Sequence, residues 1–178
     1  RYIDDLDTDI LMATNPAAVS AIKLHPDGTG FFSGDYNADV YFWDMDGNQE
    51  NLLTGHQFWV SDLEFDQTGQ ILFSSSWDDS VIRWNLRPFS LYRDMDVSGT
   101  VLDLESHPST DIFYYSVLNS NSVYAAQSLD FSSVAEYTGS RLETNSLAIS
   151  ENGELLVAGS RDGNVYVWST VDNNLFTR

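Results

Sequence analysis

One motif recurs four times along the chain, at intervals that leave little freedom in how the chain can fold. Its most legible part is a short apolar strand opening on valine: Val40-Tyr-Phe-Trp43, Val81-Ile-Arg-Trp84, Val123-Tyr-Ala-Ala126 and Val165-Tyr-Val-Trp168. Successive valines stand 41, 42 and 42 residues apart. A polar turn precedes each strand (residues 35–39, 76–80, 119–122 and 160–164), and an apolar strand precedes each turn (30–33, 71–74, 112–115 and 155–158). Further back come alternating strands at 19–24, 60–65, 101–105 and 145–149, joined to the next strand by turns such as His25-Pro-Asp-Gly28 and Ser150-Glu-Asn-Gly153. Gly and Asn tolerate positive φ and Pro fixes its own, so these residues suit tight reversals. A weaker fourth strand is expected at 51–54, 90–93, 134–137 and 174–177. Short β-branched and aromatic runs between turns, with almost no helical periodicity, call for antiparallel sheet. A single four-stranded sheet cannot bury both faces, so the four units are expected to stack face to face around an axis.

With those residues in hand, the chain resembles the WD-repeat β-propeller family, whose blades run about 40–45 residues with a Gly-His signal and a closing Trp-Asp. The second unit carries the pattern best, with Gly55-His56, Ser74, Asp78 and Trp84-Asn85. The resemblance implies that His56, Ser74, Asp78 and Trp84 form a structural hydrogen-bonded tetrad tying a loop to the sheet. The first unit has Trp43-Asp44 but Asn37 at the turn aspartate, and the fourth has Asp162 and Trp168-Ser169 but Ala158 at the serine and no Gly-His. The third is degenerate, with Ala126 in place of tryptophan. The expected fold is therefore all-β: a propeller of four WD-type four-stranded blades at about 15–54, 55–95, 96–138 and 139–178, making one propeller region over 1–178. Residues 9–14 are expected as a fourth strand of a preceding or closing blade. Because the family's rings usually hold seven or eight blades, four blades are expected to be an open arc, completed by further blades in cis or by a second copy.

Composition narrows the partners. With 27 acidic and 8 basic residues the formal charge is −19. Such a surface repels phosphates and anionic lipid, so neither nucleic acid nor a membrane is an expected partner, while basic segments are attracted. No cysteine is present, which removes disulfides and thiol chemistry. No apolar run approaches the roughly 18 residues of a membrane span. The family resemblance implies an intracellular soluble protein.

Several residue patterns suggest chemistry and are outweighed by plainer readings. Ser74, His56 and Asp78 are the residue types of a hydrolytic triad, but their spacing is that of the tetrad. Asp44-x-Asp46-x-Asn48-x-Glu50 alternates oxygen ligands as a cation loop does, yet its Gly47 is misplaced for the sharp turn of such a loop. His25 and His107 are turn residues before prolines. The inner strands open on Val19, Val60, Val101 and Thr144, which supply no clustered acid–base set. No catalytic residue, metal site or cofactor is expected.

The rim is different. Tyr36, Trp77, Asn119 and Arg161 are read as equivalent turn residues, with Phe58 and Trp59 just before the second unit's first strand. The family resemblance places such positions on the face where partners dock, and Trp, Tyr and Arg are the residue types that dominate binding hot spots. The expected partner-binding set is Tyr36, Phe58, Trp59, Trp77 and Arg161. The expected function is a protein–protein interaction scaffold within a larger assembly. The alternative is part of a propeller enzyme or metal-binding propeller whose site other blades complete.

Overall fold

The computed structural model describes residues 12–176. Fifteen strands follow one another in chain order, with no helix among the described residues. The first sheet is β1 (Val19–Leu24), β2 (Gly30–Asp35), β3 (Asp39–Asp44) and β4 (Gln49–Thr54), and the second is β5 (Val60–Phe65), β6 (Ile71–Ser76), β7 (Ser80–Leu86) and β8 (Phe89–Asp96). The third comprises β9 (Val101–Ser106), β10 (Ile112–Val117), β11 (Val123–Gln127) and β12 (Ser133–Tyr137). The last holds β13 (Thr144–Ile149), β14 (Leu155–Ser160) and β15 (Val165–Ser169). Every sheet is an antiparallel meander, and consecutive sheets meet through their first strands, β1 on β5, β5 on β9 and β9 on β13. This is the radial stacking of a partial WD β-propeller, with the first strand of each blade innermost.

The sequence explains the meander locally. In the β1–β2 turn Gly28 takes φ +75°, while the His25 N–H donates to the Gly30 carbonyl to close the hairpin. The core lies between blades rather than within them, as expected of sheets that must cover each other. Phe32, Val40, Val60, Leu72 and Trp84 join blades one and two, and Phe73, Val81, Val101 and Phe113 join blades two and three. Val123, Ala125, Leu156 and Trp168 join blades three and four.

Each inner strand also bulges at its second residue, where the register slips between Val19 and Ala21, Val60 and Asp62, and Thr144 and Ser146. In the first two blades the bulged residue is a serine whose hydroxyl donates to the next blade. Ser20 Oγ reaches the Val60 carbonyl at 2.5 Å and Ser61 Oγ reaches that of Val101 at 2.6 Å. Carboxylates continue the pattern further round the arc. Asp62 accepts the Leu104 N–H at 2.8 Å, and Asp103 accepts the Leu147 N–H at 2.5 Å.

Two expected edge strands differ. Of residues 9–14, positions 9–11 lie outside the described residues and 12–14 are irregular, with no strand among the described residues pairing with them. The fourth strand of the last blade, expected at 174–177, is reduced to a single bridge between Leu175 and Trp168, with residue 177 outside the described residues. Among the described residues the arc is open at both flanks. Val19, Ile22 and Leu24 are exposed on β1, and Val165 is 70% exposed on β15.

Candidate partner-binding face and the buried tetrad

In the second blade the tetrad is complete. Trp84 Nε1 donates to Ser74 Oγ at 2.8 Å, and Ser74 Oγ lies 2.7 Å from His56 Nε2. His56 Nδ1 lies 3.0 Å from Asp78 Oδ2, which also accepts the Gln57 N–H, and the Ser80 hydroxyl donates to Asp78 Oδ1 at 2.6 Å. The arrangement assigns the imidazole one N–H facing Asp78 and one acceptor nitrogen facing the Ser74 hydroxyl. Partial burial works against the Asp78 charge, but the hydrogen bonds from His56, Ser80 and Gln57 outweigh it. They hold this carboxyl well below the usual carboxylate range.

The Ser–His–Asp distances are those of a nucleophilic triad, and access decides what they do. Ser74 is fully buried and its oxygen already accepts the indole N–H of Trp84. A substrate carbonyl cannot reach an oxygen closed in this way, and catalysis needs a reacting atom about 3 Å from the nucleophile. The network therefore clamps the loop before β5 to the β6–β7 turn.

The other blades show what becomes of the clamp when its residues change. In the first, Trp43 Nε1 donates to Ser33 Oγ at 2.7 Å and Ser33 Oγ donates to Asn15 Oδ1 at 2.9 Å. Asn15 thus stands where His56 stands in the second, and its buried Nδ2 has no partner among the described residues. The signal was present in the sequence: Asn15 precedes Val19 by the interval that separates His56 from Val60. In the fourth blade Trp168 Nε1, lacking a serine, donates to the Thr138 carbonyl at 2.8 Å. In the third the serine and tryptophan positions hold Tyr115 and Ala126, and both join one cluster with Phe113 and Phe131. A large ring on β10 there offsets the small residue on β11.

Four of the five rim residues expected to bind partners come together. Tyr36 from the β2–β3 turn stacks on Trp59 with centroids 4.4 Å apart and planes 10° from parallel. Phe58 lies 5.2 Å from Trp59, and Trp77, from the β6–β7 turn, lies 5.4 Å from it. Backbone bonds fix the turns that carry them, with the Tyr36 N–H on the Ala18 carbonyl and the Trp77 N–H on the Trp59 carbonyl. Trp59 is partly covered by its neighbours, whereas Tyr36, Phe58 and Trp77 are 44–47% exposed. The result is a continuous aromatic shelf across the first two blades. Asp39 and Asp79 belong to the turns that carry it, and no Lys or Arg does.

Arg161 is not part of that shelf. Its Nη1 pairs with Glu143 Oε1 at 2.6 Å in the fourth blade, beside Asn119, Asn121, Arg141 and Leu142. Asn119 is not its structural counterpart either. The Leu118 N–H bonds the Thr100 carbonyl as the Arg161 N–H bonds that of Glu143, because the β10–β11 turn is one residue longer than the others.

The sequence reading overlooked a carboxyl group pair at the centre of the arc. The inner strands open on apolar residues and Thr144, but two places further on they carry Asp62 and Asp103, with Glu64 and Glu105 beyond and Lys23 paired to Glu64. Burial, together with the nearby Asp103 carboxylate, pushes Asp62 up to about 8, and burial next to Glu64 pushes Glu105 up to about 7. The alternation Asp-x-Glu in both strands was the available signal. Asp62 and Asp103 each accept a backbone N–H of the following blade, so both are engaged in joining blades.

Blades stacked through their inner strands and clamped by a Trp–Ser–His–Asp network define a WD-type propeller segment. The comparison with known proteins agrees: the WD domain, G-beta repeat family matches residues 10–44, 47–85 and 131–169, well over half the chain, and the chain belongs to that family. The matches at 47–85 and 131–169 begin just before β4 and β12 and end on β7 and β15, so each of these two sequence repeats straddles two blades. Among curated relatives, the target of rapamycin complex subunit wat1 of Schizosaccharomyces pombe is 29% identical over 87% of this chain and 50% of its own length. The periodic tryptophan protein 2 homolog of the same yeast is 31% identical over 53% of this chain and 12% of its own. Pre-mRNA-processing factor 19, also from that yeast, is 28% identical over 59% and 23%. The chain thus spans half or less of the length of each of these relatives.

Proposed function

We propose that the chain is a protein-interaction scaffold that docks partner proteins or peptides on the shelf formed by Tyr36, Phe58, Trp59 and Trp77. The observation that carries this reading is the assembly of four rings from three loops of two blades into one surface that stays exposed. Aromatic residues presented together on a rigid scaffold bury large areas at low entropic cost, which is the composition of hot spots. Two relatives support the class of role, since one is named as a complex subunit and another as a pre-mRNA-processing factor. The charge of −19 favours basic segments as partners. Arg161, held by Glu143, forms a secondary contact on the fourth blade. The exposed flanks at Val19, Ile22 and Leu24 and at Val165 are read as seats for further blades, in cis or from a second copy.

The shelf is tested by selecting peptides from a displayed library against the wild-type chain and measuring them again on Trp59→Ala/Trp77→Ala. At least tenfold weaker binding is expected, with the far-ultraviolet spectrum unchanged. Peptides that keep their affinity for the double variant would remove the assignment.

A further inference from the structure

The side chain of Arg83 contradicts the apolar pattern of the repeat that contains it. It occupies the place immediately before the tryptophan position on the third strand of its blade, where the other blades carry Phe42, Ala125 and Val167. In the first blade that place is apolar core, since Phe42 packs on Phe32 at 4.6 Å and on Phe89 of the second blade at 5.8 Å. The second blade puts a guanidinium there instead. Arg83 is only 6% exposed, lies under the Tyr92 ring at 4.1 Å, and lines a cleft between blades two and three. Its Nε and Nη1 are buried and meet no hydrogen-bond acceptor among the described residues.

A buried guanidinium whose Nε and Nη1 meet no acceptor is costly, and a fork of N–H donors matches the two oxygens of an oxyanion. The carboxylates lining the same cleft do not fill that role. Asp66 accepts the Gln70 and Ile71 N–H groups and the Thr68 hydroxyl of its own turn, and Asp111 accepts Gln67 Nε2. We propose that this cleft binds a carboxylate group, as carried by a small organic acid, with Arg83 as its charged anchor. Ser128 and Asn85 supply further polar atoms at the cleft wall, and Leu129, 61% exposed, supplies an apolar lip for the rest of the ligand. Arg83 and Arg87 on the cleft wall are balanced by Asp66 and Asp111, and a cleft with no net positive charge favours a singly charged carboxylate over a doubly charged phosphate. The site is on a different part of the molecule from the aromatic shelf and does not depend on it.

The test titrates the wild-type chain with N-acetylglycine and, separately, with inorganic phosphate at constant ionic strength, following backbone amide resonances. Saturable shifts in residues 83–85 and 128–129 are expected with the carboxylate. The variants Arg83→Leu, which restores the apolar pattern, and Leu129→Glu, at an exposed position, should each weaken binding at least tenfold. No saturable response to the carboxylate, a stronger response to phosphate, or unchanged affinity in Arg83→Leu would each overturn the proposal. Leu129→Glu gives the answer should Arg83→Leu not fold.

Discussion

His56 and Asp62 show how much one side chain can carry in this fold. Truncating His56 to Ala leaves Ser74 and Asp78 each short of a partner, and losing such bonds inside a structure costs about 2–3 kcal/mol. A lower urea midpoint with an unchanged slope is the expected result. The two titrating carboxyls act in opposite senses. Asp78 is depressed, so its contribution is present above the ordinary carboxylate value of about 4 and fades only as pH falls through its lower folded value. Asp62 is raised to about 8, so its contribution is complete below the unfolded value of about 4 and is lost as pH climbs toward 8. Wild-type stability is therefore expected to decline between those limits, while Asp62→Asn, which keeps an oxygen for the Leu104 N–H, flattens the decline by about 2 kcal/mol. Urea midpoints measured across that range decide it, and an equally steep decline in the variant would mean that Asp62 titrates normally. The tetrad of the second blade could be read in the sequence because its four residue types keep the family spacing. Asn15 went unread because an amide replaces the imidazole, and Tyr115 with Ala126 because steric compensation leaves no trace in either residue alone.

At the level of single strands and blades, the recurring valines located the elements, and the turns located their ends. β2, β3, β6, β7, β10, β11, β14 and β15 fall where alternation and turn residues put them. The outer strands were harder to place, because an edge strand is defined by its pairing partner rather than by its own apolar pattern. The same reasoning yields an engineering expectation. Replacing Asn15 by His and Asn37 by Asp rebuilds the second blade's clamp around Ser33 and Trp43, and should stabilise the first blade by about 1 kcal/mol. Hydrogen exchange of the β2–β3 amides measures it, and faster exchange in the double variant would show that the loop before β1 cannot accept the ring.

For the whole molecule, the open arc matters most. Apolar side chains on both flanks predict self-association that grows with concentration, so light scattering should return masses above the 20.0 kDa of one chain. Replacing Ile22 and Leu24, 65% and 67% exposed, with Glu should restore the single-chain mass. That the arc is four blades long was legible from the repeat count. That the aromatic rings of two blades meet in one stack was not, because residues 36, 59 and 77 are far apart in sequence and only the radial geometry brings them together.

The serine and aspartate ties that bind the inner strands to one another run in one direction around the arc. Ser20 and Ser61 reach forward to the carbonyls of the following blade, and Asp62 and Asp103 receive amides from the one after their own. Ala21 stands at the place of Asp62 and Asp103, so the first junction has no aspartate accepting the next blade's amide and is tied instead by the Lys23–Glu64 ion pair. Added salt, which screens an ion pair but not an amide bond, should accordingly loosen the amino-terminal blade before the others.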